Sequence, residues 1–263
     1  MRCITQFAQF TKWLGVISSI SVLTVGAVEA RDWSVIKDSG KMVVATEGAF
    51  YPFNFFEGPK LTGFEVELAE AVVKQLGLTL EWRVVSFDAQ LASIRQDRFD
   101  FAIASHGYTE DRAKAVDFAN PHYCTGGQIA AQKDGPLTIA ALKDKTVGVQ
   151  IGTSYMDNAK KIPGLKELKT YKADPEAFSA LKAKKTDAWI SDKWLIKSTL
   201  EKNADSGVVA GEQVFVEKVS MILRKNNKEL MDQLNRGLAE VIKNGTYQAL
   251  SQKYFKTDIG CRS

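Results

Sequence analysis

The chain has 263 residues, of which 45% are hydrophobic and 25% charged, an ordinary balance for one or two globular domains. A formal charge of +4 is too weak and too evenly spread to suit nucleic acid, and no basic run is interleaved with aromatics. His106, His122 and the scattered cysteines lack ligand spacing, so neither a metal nor a cofactor is expected.

The first thirty residues stand apart. Arg2 and Lys12 precede an uncharged apolar run, WLGVISSISVLTVGAV, and Val28-Glu29-Ala30 then offers small residues of the kind a signal peptidase reads. The run is short for a membrane span of about 20 residues, although an uncleaved anchor is the rival reading. No cysteine follows it, which leaves a lipid anchor without support. The expectation is export to the periplasm with cleavage after Ala30.

Residues 41–46 (KMVVAT) predict a short buried strand, ending in a loop that mixes Glu47 with Phe50, Tyr51 and Phe53. Phe64, Leu68, Ala71, Val72 and Leu76 then recur at helical spacing, and Gly77 closes the helix. Glu65 and Glu67 invite an acid/base role, but residues two apart on a helix do not share a face. They read instead as support for the helix start and nearby loops. Residues 80–85 predict a strand, 87–94 a helix and 100–104 another strand, whose last apolar residue is Ala104.

Ser105, His106 and Gly107 cannot continue that strand. Thr109 can cap a short helical turn with Glu110 and Asp111 in its first turn. Arg112 therefore falls near the carboxyl end of a strand, where open α/β sheets bind ligands. Its guanidinium fork, beside backbone N–H groups and the Ser105 hydroxyl, suits a planar carboxylate. A surface arginine paired with Glu110 or Asp111 fits these residues as well.

Further on, 128–132 and 146–150 predict strands, and Ile151-Gly-Thr-Ser-Tyr155 opens a helix whose start can present N–H groups and hydroxyls to an anion. The phosphate-loop pattern is absent. Residues 175–184 predict a helix and 187–192 a strand with a polar end. Asp192 could take a ligand ammonium there or cap the following helix, and a carboxylate has lone pairs for both. Residues 214–223 (VFVEKVSMIL) predict one extended strand, and two helices near 228–243 and 246–255 finish the chain. Strands alternating with helices imply βαβ units and mainly parallel sheets.

The run Thr109-Glu-Asp-Arg112-Ala-Lys-Ala-Val-Asp-Phe118, continuing to Asn120-Pro-His-Tyr123, resembles the family 3 extracellular solute-binding proteins, the amino-acid receptors of bacterial ABC importers. The likeness extends from about residue 41 to 255. It implies an α/β fold of the type II periplasmic-binding-protein kind: two lobes, each a mainly parallel sheet flanked by helices, joined by two crossover hinge strands. The implied boundaries are 31–121 for the first part of lobe 1, 127–214 for lobe 2 and 220–263 for the return, with hinges at 122–126 and 215–219.

The resemblance further implies that Arg112 holds an amino acid's α-carboxylate and Asp192 its ammonium. Phe50 and Phe87 match pocket aromatics, Glu47 the residue that reads the ligand side chain, and Ala104, Ser105 and Gly107 the first-lobe loop. Gln150, Thr153 and Ser154 face that lobe across the cleft. No catalytic residue is expected, although a cyclohexadienyl-dehydratase-like enzyme, with His106 as general acid, is the rival on this scaffold. The implied partners are a small amino-acid-like ligand and an inner-membrane permease, with the protein acting as a monomer. With Cys124 at the hinge and the tail returning to lobe 1, a Cys124–Cys261 disulfide is implied. One position departs from the pattern: the family has Thr or Ser where this chain has Gly107, so a hydroxyl is missing from the head-group loop. Nothing near Glu47 in sequence neutralises it, so the pocket or the ligand should supply a donor, which favours a polar or cationic amino acid.

Overall fold

The computed structural model describes residues 31–261; the expected signal segment lies outside them. The fold is α/β, with two five-stranded sheets and helices packed on both. The first sheet contains β1 (Lys41–Thr46), β5 (Thr79–Val84), β6 (Phe101–Ala102), β7 (Val116–Thr125) and β13 (Glu217–Arg224). The second contains β8 (Gly127–Gln132), β9 (Thr146–Gln150), β10 (Glu167–Tyr171), β11 (Ala188–Asp192) and β12 (Val208–Gln213).

Their strand orders are β5-β1-β6-β13-β7 and β10-β9-β11-β8-β12. Each sheet thus has three parallel strands followed by two that join through antiparallel ladders. The parallel strands are the ones fed by helical crossovers, as chain geometry requires. Three short strands, β2 (Ala49–Phe50), β3 (Asn54–Glu57) and β4 (Lys60–Thr62), form a small separate sheet after β1.

Helices α1 (Trp33–Ser39), α2 (Phe64–Gln75), α3 (Phe87–Arg95), α4 (Glu110–Ala115), α8 (Lys228–Lys243) and α9 (Thr246–Phe255) accompany the first sheet. On α2 the residues Phe64, Leu68, Val72 and Val73 are buried, and on α8 Leu230, Leu234, Leu238 and Val241 are buried. This is the stripe that helical periodicity predicts. The two helices meet where Gly237 has no side chain: a Cβ there would lie 2.9 Å from Val72 Cγ1. Around the second sheet pack α5 (Ser154–Ala159), α6 (Asp174–Lys182) and α7 (Lys193–Lys202). Among the described residues no helix is long and apolar enough to cross a membrane.

Two connections run between the sheets. β7 continues past Tyr123 to Thr125, which pairs with Glu217 of β13, and the Val214 N–H donates to Gly127 O at 2.7 Å. The strand expected over residues 214–223 is β13 and begins only at Glu217; residues 208–213, for which no strand was expected, form β12. Residues 214–216 belong to neither strand because the chain changes sheets there, leaving the backbone bond from Val214 to Gly127.

Cys124 and Cys261 are bonded, with Cα atoms 4.8 Å apart, inside the usual span for a bridge. The Cys124 N–H also donates to Ile259 O at 3.1 Å, and the Tyr247 hydroxyl to His122 O at 2.6 Å. The tail is thus tied to the end of β7 that leads into the second sheet. Thiol titration of the unfolded, unreduced protein should find neither Cys124 nor Cys261 free. Reduction should lower unfolding stability by about 2–4 kcal/mol, the usual worth of a native bridge; an unchanged urea midpoint after reduction would contradict this.

Candidate functional site

The loop that follows β6 is held from beneath by a buried carboxylate. Glu65, at the start of α2, accepts from the Ser105 N–H at 2.8 Å, from the Ser105 hydroxyl at 3.0 Å and from Asn54 Nδ2 at 3.0 Å, while His122 Nε2 lies 2.8 Å away. These bonds keep Ser105 at φ +60°, a left-handed conformation uncommon outside glycine. The chain therefore turns sharply after Ala104. The Ser105 N–H and hydroxyl proton, expected beside a ligand carboxylate, are both donated to Glu65 in this structure. Glu65 thus supports a neighbouring loop, as expected, whereas Glu67 ties the start of α2 to Lys253 and Tyr254 of α9 and to Thr62 of β4.

Arg112 lies on α4, whose cap is Thr109: its Oγ1 accepts from the Arg112 N–H at 3.2 Å. The guanidinium is buried, with Nη1 donating to Gly107 O and Nη2 to Gly152 O, both at 2.8 Å. Those carbonyls belong to the two opposite lobes. Arg112 is therefore not a surface group paired with its neighbours; Asp111 pairs with Lys114 instead. Phe87 lies alongside, its ring centroid 5.5 Å from Arg112 Cζ and 4.7 Å from the His106 ring. His106 is fully buried, bonded through Nε2 to Gln90 Oε1 at 2.8 Å, and burial pushes its pKa well below the usual histidine value.

On the opposite lobe, Asp192 ends β11. Its Oδ1 accepts from the Trp194 and Leu195 N–H groups at 2.7 and 3.0 Å, capping α7. Its Oδ2 accepts from the Tyr155 hydroxyl at 3.4 Å. Burial pushes the Asp192 carboxyl up to about 7, against these hydrogen bonds. Thr153 caps α5, donating its hydroxyl to Gln150 O at 2.7 Å and accepting from the Met156 N–H at 3.1 Å. That hydroxyl is occupied locally, whereas Ser154 Oγ crosses the cleft to Glu217 Oε2 at 2.6 Å.

Between the lobes lies a small enclosed cavity lined by Phe50, Phe87, Ala104, Ser105, Gln150, Thr153 and Ser154. Tyr155 completes the wall. At about 10 Å³ it has room for roughly one water, so an amino acid can enter only if the lobes part. Arg112, Asp192, Glu47 and Gly107 are not among its lining residues; Arg112 packs on Phe87, Glu47 accepts from Gln150 and Asp192 accepts from Tyr155, each a residue of the wall.

Glu47 is buried and accepts from Gln150 Nε2 at 2.5 Å, a contact between lobes. The donor that sequence proximity lacks is thus supplied from the second sheet. Burial still pushes the Glu47 carboxyl up to about 8. A group whose folded pKa is raised contributes stability that is complete at low pH and lost as pH rises through that value. Thermal stability should accordingly fall from about pH 4.5, where the unfolded carboxyl ionises, to about 8, and level off above that, where native Glu47 has ionised too. Asp174 and Asp192, pushed up to about 7 by burial, add to the same fall. Glu47→Gln should therefore make the profile shallower, most of all near about pH 7–8, and an unchanged slope in that variant would mean that Glu47 makes no contribution.

A family model described as bacterial extracellular solute-binding proteins, family 3, matches residues 42–257. The chain belongs to that family. This solute-binding protein is 34% identical over 228 residues to the L-cystine-binding protein TcyJ of Escherichia coli (strain K12), covering 85% of this chain and 86% of the relative. It is 29% identical over 219 residues to the arginine-binding extracellular protein ArtP of Bacillus subtilis (strain 168), covering 82% and 86%. Among solved structures, an ancestral arginine-binding protein bound to arginine superposes with a TM-score of 0.79 at 34% identity, over 82% of this chain and 98% of that one. An ancestral amino acid-binding protein described as a precursor of cyclohexadienyl dehydratase gives 0.79 at 29% identity, over 84% and 98%. The two-lobe architecture expected from the sequence is therefore that of its structural relatives.

Two residues of the solute-binding protein's site carry no local signal in the sequence. Tyr155 reads as a helix residue and Glu217 as a lone acid near the start of a strand. A β13 strand paired antiparallel with β7 is what brings Glu217 to the cleft.

Proposed function

We propose that this protein is the periplasmic receptor of an ABC importer and captures one amino acid between its lobes, with a polar or cationic side chain favoured. Arg112 takes the α-carboxylate, Asp192 the ammonium, and Glu47 with Gln150 the end of the side chain. The observation that carries the reading is the buried guanidinium of Arg112 donating to a carbonyl on each lobe, beside a cavity whose lining residue Tyr155 donates to Asp192. An ion pair enclosed there is strengthened by the low dielectric. Closure of the hinge formed by β7 and β13 converts capture into a shape that a permease can recognise, the motion that periplasmic binding proteins illustrate in general.

Relatives named for cystine, arginine and histidine support the amino-acid class. A binding role is favoured over the dehydratase-like alternative because His106 is buried, neutral and committed to Gln90, a poor position for a general acid. A thermal-shift screen of the purified protein against amino acids, polyamines and organic acids tests the reading. An amino acid at 100 times its Kd should stabilise by about 2.7 kcal/mol. Stabilisation by polyamines or organic acids alone would overturn it.

A further inference from the structure

Gly107 is not glycine for the sake of its backbone, since its φ is not in the left-handed region. Its space is taken. A Cβ at 107 would lie 1.9 Å from Glu217 Oε2 and 2.6 Å from Glu217 Cδ. Position 107 bridges to Val219, two residues along the same strand, so the hinge strand β13 delivers the carboxylate to this spot. Glu217 Oε2 accepts from Ser154 Oγ at 2.6 Å, whereas Oε1 is buried with no hydrogen-bond partner.

Two neighbours give that unpaired oxygen its meaning. The Arg112 charge acts on Glu217, opposing the effect of burial, which pushes its carboxyl up. Asp192 feels the Glu217 charge as well. The Tyr155 hydroxyl, which donates to Asp192 at 3.4 Å, lies close enough to Glu217 to be influenced by both acids without meeting Oε1 in hydrogen-bond geometry. Two carboxylates therefore converge on one side of the cleft, near a single guanidinium. An ammonium group has three donors, and Asp192 Oδ1 is already committed to two backbone N–H groups.

We propose that Glu217 is a specificity-determining ligand contact: together with Asp192 it accepts the ammonium group of an amino acid, from the space that a side chain at position 107 would fill. The inference rests on the amino-acid reading above. Its consequence is a receptor that demands the amine more strictly than one with a hydroxyl at 107, because without an ammonium a buried acceptor stays unpaired.

The test is calorimetric titration of wild type, Glu217→Gln and Gly107→Ala near neutral pH. The probes are L-arginine, L-histidine and L-cystine, each beside its des-amino counterpart (guanidinovalerate, imidazolepropionate and dithiodipropionate). For an amino acid that the wild type binds, Glu217→Gln should lose about tenfold or more in affinity, the worth of a hydrogen bond between charged groups. The des-amino counterpart should change by less than about threefold. Gly107→Ala should weaken the same amino acid by displacing the carboxylate. It should also lower the melting temperature without ligand, with part of that loss recovered in the Gly107→Ala/Glu217→Ala double variant. Equal effects of Glu217→Gln on amine and des-amino probes, or none, would reduce Glu217 to a space-filling group and overturn the inference alone. If the wild type takes none of the three, the amino acid that the thermal-shift screen selects and its des-amino counterpart become the probes; a wild type that takes no amino acid at all would overturn the amino-acid reading, and the inference with it.

Discussion

Arg112→Ala should fold and lose its amino acid, at a cost of about 2–5 kcal/mol in binding, the range for truncating one partner of a buried, hydrogen-bonded charge pair. The side chain donates to Gly107 O on one lobe and Gly152 O on the other, so its removal deletes both a carboxylate anchor and a strut of the closed form. The apolar core lies elsewhere, among residues such as Phe53, Phe64, Tyr123, Trp189 and Leu234, which is why folding should survive. Arg112→Lys keeps the charge but not the planar fork, and one ammonium cannot reproduce two diverging N–H bonds together with a bidentate ligand contact. It should therefore fall between wild type and alanine in titration calorimetry. Wild-type affinity in Arg112→Ala would remove the guanidinium from the binding site.

Asp192→Asn should separate two roles that one side chain combines. Asparagine is as good a helix cap as aspartate, so the contacts to Trp194 and Leu195 can persist and the melting temperature should stay near wild type. Binding of an amine-bearing ligand should still fall by about 2–5 kcal/mol, because the charge that pairs with the ammonium is gone. Asp192→Ala should lose binding and, in addition, about 1 kcal/mol of helix capping. A pH series adds a second check. Because burial places the carboxyl at about 7, a proton competes with the ammonium below that value, and affinity should weaken as pH falls through it. The asparagine variant should lack the Asp192 contribution to that dependence. Equal amino-acid affinity in wild type and Asp192→Asn would leave Asp192 as a cap only.

How far such roles can be read without coordinates depends on whether their cause is local. Residues 41–46 and 146–150 are bounded apolar strands, and α8 and α9 carry clear helical stripes, so their type and ends follow from pattern alone. Thr109 as a cap and Asp192 at a strand end are equally local, each set by a few neighbouring residues. β7 is not: residues 116–125 contain Asp117, Asn120 and Pro121, and they become a strand because β13, about a hundred residues later, pairs with them. β10, the polar stretch Glu167–Tyr171, is likewise extended only because β9 offers it an edge. The break between strands at 214–216 follows from the same dependence, since a change of sheet leaves no mark in local hydrophobicity.

The sequence by itself determined the α/β class, most helices, the aromatic and charged residues placed around the cleft, and the oddity of a glycine at 107. Only the tertiary structure decided what those residues do to one another. It spent the Ser105 donors on Glu65, answered Glu47 with Gln150 from the facing lobe, and placed Glu217 in the gap left by Gly107. The physical reason is that burial and hydrogen-bond partnership are set by groups distant in the chain. Burial in turn raises the carboxyls of Glu47, Asp192 and Glu217, and no spacing rule encodes which distant donor will meet them.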